Sequence, residues 1–95
     1  MIRRQQPTAG TVKVIFVVPD SGAPVSVVGD FNDWDALAHP LRKRSNGTRS
    51  IAVEIAEGRT VRFRYLGPNG WFFDDPDADS VEPNGYGDTH TLLRL

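Results

Sequence analysis

Hydrophobic and polar residues alternate along several short stretches of this chain, with the period of two that is typical of β-strands. The first such stretch, residues 11–18, places Lys13 on one face and a row of apolar side chains on the other: Val12, Val14, Phe16 and Val18. Ile15 and Val17 make its second face partly apolar as well. The pattern predicts further strands over residues 25–29, 41–44, 49–55, 61–66 and 91–95.

Clusters of Gly, Pro, Asn and Asp separate these stretches and predict the turns. Asn46-Gly47 is the strongest hairpin signal, because this pair accepts the positive φ values of a type I′ turn. Residues 36–39 are compatible with a single helical turn that Pro40 ends. Residues 74–88 are acidic and rich in Pro and Gly, which predicts a long irregular loop.

The spacing of these elements predicts an all-β fold. About seven short strands in 95 residues, with almost no helix signal, are typical of an immunoglobulin-like β-sandwich. The length allows one domain. We expect residues 1–10 to form a flexible N-terminal lead-in and residues 11–95 to form the domain.

Composition excludes several classes of function. The net charge is -1, from 11 Lys plus Arg and 12 Asp plus Glu, so the chain has no general attraction for nucleic acid or membranes. Cysteine is absent, which excludes disulfides, thiol catalysis and the usual structural zinc sites. No apolar leader or membrane span is visible. We therefore expect a cytoplasmic protein without a cofactor.

The acidic residues between 74 and 82 are candidates for a catalytic site, since glycoside hydrolysis needs a pair of carboxyl groups with different pKa values. Carboxylates of a solvated loop ionise together, so the sequence predicts no catalysis by this chain itself. Asp75 begins a segment that resembles a calcium loop, but Ser80 and Tyr86 stand where glycine and glutamate are required. His39 and His90 have no neighbouring His or Cys at ligand spacing, so no metal site is predicted.

Two tryptophans are the strongest candidates for binding. Trp34 and Trp71 each follow a predicted strand and lie in a turn rich in Gly, Asn and Asp. An exposed indole can stack on the apolar face of a pyranose or on a nucleobase, and the charge balance disfavours the nucleobase. Alternatively, both indoles cap the ends of the core, and the turn context alone leaves these possibilities open.

The motif around Trp34 resembles the glycogen-binding module of the β-subunit of AMP-activated protein kinase and of the N-terminal region of branching enzymes and isoamylases. The resemblance covers residues 12–95. Residues 25–32, Trp34-Asp35 and His39-Pro40 are similar to the branching-enzyme version. Residues 63–65, Trp71, Asp75-Pro76 and residues 83–87 are similar to the kinase subunit.

The resemblance implies an early-set sandwich that binds α-1,4-linked glucan: glycogen, starch or maltooligosaccharide. It implies stacking by Trp34 and Trp71, with Arg64 in place of the usual lysine seven residues before the second tryptophan. Tyr86 and His90 are departures from the family, since they stand at an apolar position and at an asparagine position. A glucan-metabolising enzyme or a kinase-type protein is the implied partner. The alternative is a structural or protein-interaction domain of a branching or debranching glycoside hydrolase.

Overall fold

The computed structural model of the protein describes residues 1–83 and 89–95, which form two antiparallel sheets facing each other. This arrangement confirms the predicted all-β sandwich. In the first sheet the strand order is β1 (Ile2–Arg4), β2 (Thr11–Pro19), β5 (Thr48–Ala56) and β4 (Arg42–Lys43). In the second sheet it is β3 (Ser26–Gly29), β6 (Thr60–Leu66), β9 (Thr89–Arg94) and β8 (Ser80–Pro83), and β7 (Phe72–Phe73) also pairs with β6.

The core is built from the alternating apolar residues of the long strands. In the first sheet, register pairs Val12 with Ile55 and Val14 with Val53, so these side chains share the inner face. The ring of Phe16 lies between the sheets, with its centroid 5.1 Å from Phe63 and 6.3 Å from Tyr65. All of these side chains are buried, which confirms the inner face predicted from the alternation.

Three strands lie where the sequence predicted none: β1, β7 and β8. Of these, β1 and β8 are the outermost strands of their sheets. β1 pairs with β2 inside the segment expected as a lead-in, and Ile2 packs against the core. β8 lies inside the segment expected as an irregular loop and pairs with β9. An edge strand needs hydrogen bonds on one side only, so it tolerates Pro83 and a weak apolar pattern. The limits of the domain stay a prediction.

Two turns differ in detail from the prediction. Gly47 has φ 81°, but Asn46 has no positive φ, so the hairpin is not a type I′ turn. The Asn46 side chain instead accepts hydrogen bonds from the backbone and hydroxyl of Thr48, at 3.2 and 2.6 Å. Residues 36–38 form a turn in which the Ala38 N–H donates to the Asp35 carbonyl, and not a helix.

In the part of the chain that the structure describes, no helix has the length and apolar character needed to cross a membrane.

Candidate functional site

The turn that carries Trp34 starts at the end of β3. The Gly29 carbonyl accepts hydrogen bonds from the N–H groups of Asn32 and Trp34, at 3.2 and 2.9 Å. Asp33 and Trp34 both have φ 57°, which is the left-handed region. That conformation costs an L-residue about 1–2 kcal/mol, and a bulky aromatic residue rarely adopts it. The turn therefore depends on support from the residues around it.

The Asn32 side chain provides part of that support. Its Oδ1 accepts the Gly29 N–H at 3.0 Å, and its Nδ2 donates to the Val27 carbonyl at 3.1 Å. The same Nδ2 lies 2.9 Å from Nδ1 of His39. One amide thus connects β3, the turn and the His39-Pro40 segment.

Phe31 anchors the turn in the core. Its ring is parallel to that of Phe16 within 5°, with the centroids 6.1 Å apart. Gly29 is required beneath it, because a Cβ at this position would clash with the backbone carbonyl oxygen of Arg62 and would lie only 2.8 Å from Cε1 of Phe31. The turn is therefore built on the core, although it presents an exposed side chain.

Trp34 is 41% exposed and lies over the outer face of the second sheet. Its ring centroid is 6.2 Å from that of His90 on β9, with the two planes inclined by 39°. His90 Nε2 is 2.6 Å from Oε1 of Glu82, and the Arg62 Nε donates to the same oxygen at 2.5 Å. The indole therefore has a polar, charged neighbourhood on one side.

Glu82 supplies a negative charge to the surface beside Trp34. The hydrogen bond from His90, followed by that from Arg62, holds the pKa of the Glu82 carboxyl below its usual range. Glu82 in turn raises the pKa of the Arg62 guanidinium. The carboxylate is therefore favoured in its charged form near Trp34.

This shift predicts a loss of folding stability in acid. A depressed pKa in the folded state stabilises the fold above the unfolded-state pKa, and this stabilisation is lost as pH falls through the folded-state value. We expect Glu82→Gln to reduce the difference between urea midpoints measured near neutral pH and near pH 3. Glu57→Gln, at an exposed turn, is the matched control. An unchanged acid dependence in Glu82→Gln would contradict this prediction.

Arg64 lies close to the same outer face. Phe63 and Thr91 are the last paired residues of β6 and β9, so Arg64 and His90, one position further along, share the outward side. Arg64 is only 9% exposed, and its Nε donates to Oδ1 of Asp74 at 2.9 Å. Its guanidinium carbon also lies 5.4 Å from the centre of the Phe72 ring. The arginine is thus engaged with its own chain.

Trp71 follows a short 3₁₀ helix, Pro68–Gly70, and is 64% exposed. Its ring centroid lies 4.9 Å from that of Phe73, which in turn lies 5.2 Å from that of Tyr65. The rings of Tyr65, Phe73 and Trp71 therefore form a row that runs from the core to the surface. Phe72, the residue between them, is 43% exposed on the side of Arg64.

The structure brings together some of the predicted site residues. Trp34 contacts His90, whereas Arg64 contacts Phe72 and Asp74, and Trp71 contacts Phe73. Tyr86 lies outside the described residues. The sequence analysis did not identify Phe72 as a site residue. The run Trp71-Phe72-Phe73 indicated it, because neighbouring side chains of a strand point to opposite faces.

The acidic residues of the predicted loop are not simply solvated, which corrects the sequence-based expectation. Asp75 is 3% exposed and accepts hydrogen bonds from the Tyr65 hydroxyl at 2.6 Å and from the N-terminal ammonium at 3.0 Å. Burial, together with the neighbouring Asp75 carboxylate, raises the pKa of Tyr65. Asp79 pairs with Arg4 at 3.0 Å. Long-range partners therefore separate carboxylates that are neighbours in sequence.

Among residues 1–83 and 89–95, no group of three His, Asp or Glu side chains is arranged to hold a metal ion.

Comparison with known proteins gives a consistent family. The family model described as carbohydrate-binding module 48 (isoamylase N-terminal domain) matches residues 7–85. A relative from Bradyrhizobium sp. strain BTAi1 is 42% identical over 70 residues, which cover 70% of this chain and 10% of the relative. One from Deinococcus radiodurans is 43% identical over 54 residues, covering 56% and 8%. Both are named 1,4-alpha-glucan branching enzyme GlgB.

A third such enzyme, from Novosphingobium aromaticivorans, is 48% identical over 48 residues, covering 48% of this chain and 7% of the relative. The chain thus spans a tenth or less of the length of these relatives. Among solved structures, the enterobactin esterase Fes of Shigella flexneri matches with a TM-score of 0.74. The match covers 99% of this chain and 32% of the esterase at 11% identity, and it supports the fold alone.

Proposed function

Because this chain belongs to the carbohydrate-binding module 48 (isoamylase N-terminal domain) family, we propose that it is a noncatalytic module that binds α-glucan through Trp34 and Trp71. The observation that carries the proposal is the exposure of the two indoles, 41% and 64%, whereas the rings of Phe16, Phe63 and Tyr65 are buried. Its relatives are named 1,4-alpha-glucan branching enzyme, which supports glucan as the ligand class.

Stacking accounts for part of the expected affinity. If each indole removes about 100 Å² of apolar surface from water with its sugar, the two contribute about 5 kcal/mol at ~25 cal/mol per Å². Association costs about 4 kcal/mol or more, so stacking alone leaves about 1 kcal/mol or less. Millimolar affinity needs about 4 kcal/mol net, so hydrogen bonds to the sugar hydroxyls have to supply the rest. Linkage to a glucan-metabolising enzyme, or many chain ends on one polymer, would raise the effective concentration.

Polar residues near the platforms supply hydrogen bonds to the sugar hydroxyls. His90 and Glu82 lie beside Trp34, and the exposed part of Arg62 borders them. The hydrogen bond to Asp74 holds Arg64 in one orientation, which supports a role for Arg64 in shaping the sugar-binding surface. The part assigned to Tyr86 stays a prediction from the sequence.

Ion pairing supports a noncatalytic role. Despite burial, hydrogen bonds from Arg94 and Arg4 hold the pKa of the Asp79 carboxyl below its usual range. Hydrogen bonds from His90 and Arg62 do the same for the pKa of the Glu82 carboxyl. A glycosidase needs one carboxylic acid that stays protonated to donate to the leaving group. Carboxylates held in their ionised form do not provide it.

Affinity electrophoresis tests the proposal directly. We expect the protein to migrate more slowly in native gels that contain glycogen or amylopectin than in plain gels. Added maltoheptaose should restore its mobility, whereas a dextran gel with mainly α-1,6 linkages should retard it less. Equal mobility in the plain and glycogen gels would overturn the proposal.

A second candidate is a structural or protein-interaction domain of a longer α-glucan-acting enzyme. Two residues expected to contact sugar already form hydrogen bonds within the chain: Arg64 with Asp74, and His90 with Glu82. These hydrogen bonds favour the second candidate. This role predicts tryptophan fluorescence that maltoheptaose does not change. A kinase-type partner and a cytoplasmic location stay predictions from the sequence.

A further inference from the structure

We propose that His39, in its neutral form, is the residue that positions the Trp34 platform, so that its protonation weakens glucan binding. His39 does not touch the proposed sugar site and acts through Asn32. The binding part of this proposal rests on the proposed function of the module. The positioning part rests only on the hydrogen bonds of the turn.

The surroundings of Asn32 define the protonation state of His39. The amide oxygen faces a donor, the Gly29 N–H, and the amide nitrogen faces an acceptor, the Val27 carbonyl. Rotating the amide by 180° would set donor against donor and oxygen against oxygen, so the orientation is determined. The amide nitrogen therefore donates its second hydrogen to Nδ1 of His39, 2.9 Å away. Nδ1 must carry a lone pair, and the ring proton must be on Nε2.

The link from Asn32 to the platform is short. The backbone N–H groups of Asn32 and Trp34 donate to the same Gly29 carbonyl, and the left-handed Asp33 and Trp34 lie directly after Asn32. A left-handed tryptophan persists only where its surroundings stabilise it. A proton on Nδ1 of His39 would place two N–H donors against each other, one from His39 and one from the Asn32 amide. The amide would have to move, and the turn would lose its bonds to Gly29 and Val27.

The carboxylates described near the turn have other partners or are exposed. Asp30 faces Arg59 and Arg62, at 3.6 and 3.9 Å. Asp35 accepts the Leu37 N–H at 2.8 Å, and the Phe31 ring covers His39 with the centroids 5.7 Å apart. Asp33, also on the turn, is exposed, and β3 contributes no titratable group to this region. Within residues 1–83 and 89–95, no ion pair reaches His39.

The experiment compares glucan affinity as pH is lowered from about 8 to about 5, the range in which histidines titrate. We expect the affinity of the native protein for maltoheptaose to fall about fivefold, the effect of losing about one hydrogen bond. His39→Asn offers a nontitrating oxygen close to the position of Nδ1, so its affinity should stay near the high-pH value throughout. His39→Leu should be about fivefold weaker at both ends of the range.

His90 is a second histidine and its ring lies beside Trp34, so the measurements are repeated in His90→Asn. There the fall in affinity should persist and should again disappear on adding His39→Asn. A pH response that vanishes in His90→Asn, or one that survives in His39→Asn, would overturn the role of His39.

Two measurements without glucan separate this proposal from the proposed function. Nitrogen NMR of the imidazole should show His39 protonated on Nε2 and bare on Nδ1 near pH 8. In a background with Trp71→Phe and His90→Asn, Trp34 fluorescence should change over the same pH range, but not when His39→Asn is added. A proton on Nδ1 near pH 8 overturns the proposal even if glucan binds. The expected NMR and fluorescence results without any glucan binding would overturn the proposed function and leave the positioning role supported.

Discussion

Replacing both tryptophans with alanine is expected to abolish the retardation of this protein by glycogen. Each indole contributes about 2.5 kcal/mol if it covers about 100 Å² of apolar surface, so each single substitution should weaken binding about 70-fold. Trp71→Ala should have the larger effect, because Trp71 is 64% exposed and Trp34 is 41% exposed. Isothermal titration with maltoheptaose and affinity electrophoresis in glycogen measure the two losses.

Val81→Ala is the matched control for these substitutions. Val81 is 55% exposed on the edge strand β8, so its truncation removes an apolar side chain that is not assigned to the site. Its affinity should equal that of the native protein. If the double tryptophan variant is still retarded like the native protein, while its unfolding midpoint is unchanged, the indoles are not the binding platforms.

Phe16→Ala is expected to destabilise the fold by about 3–5 kcal/mol. Phe16 is fully buried, and its ring contacts those of Phe31, Phe63 and Tyr65, so the truncation would leave a cavity at the centre of the sandwich. A domain of 95 residues has a total stability of about 5–14 kcal/mol, so the substitution would remove a large share of it. Urea denaturation followed by circular dichroism measures this change.

Phe16→Leu is the control, since it keeps most of the apolar volume and should cost much less. The comparison also tests how the core supports the site. Phe31 rests on Phe16 and belongs to the turn that presents Trp34, so loss of the ring should lower glucan affinity even where the fold persists. A change below about 1 kcal/mol for Phe16→Ala would contradict the central position of this ring, since a truncated buried Phe ordinarily costs several times more.

The sequence itself determined the fold class and the inner faces of the long strands. In β2, β5 and β6 the apolar residues repeat every second position, and a shift of register by one residue would expose all of them. The exposed position of Trp34 and Trp71 was one of two possibilities that the turn context allowed. The family resemblance favoured exposure, and the structure has both indoles partly exposed.

The tertiary structure alone decided the partners of the polar groups. Nothing in the local pattern indicates that Arg64 pairs with Asp74, that Glu82 joins Arg62 to His90, or that Asp75 is buried under Tyr65. The same holds for His39, whose proton position follows from an amide hydrogen bond. Apolar burial is nondirectional, so alternation along the chain is enough to predict it. Hydrogen bonds and ion pairs depend on distances of about 3 Å between residues far apart in sequence, and only the folded chain defines those distances.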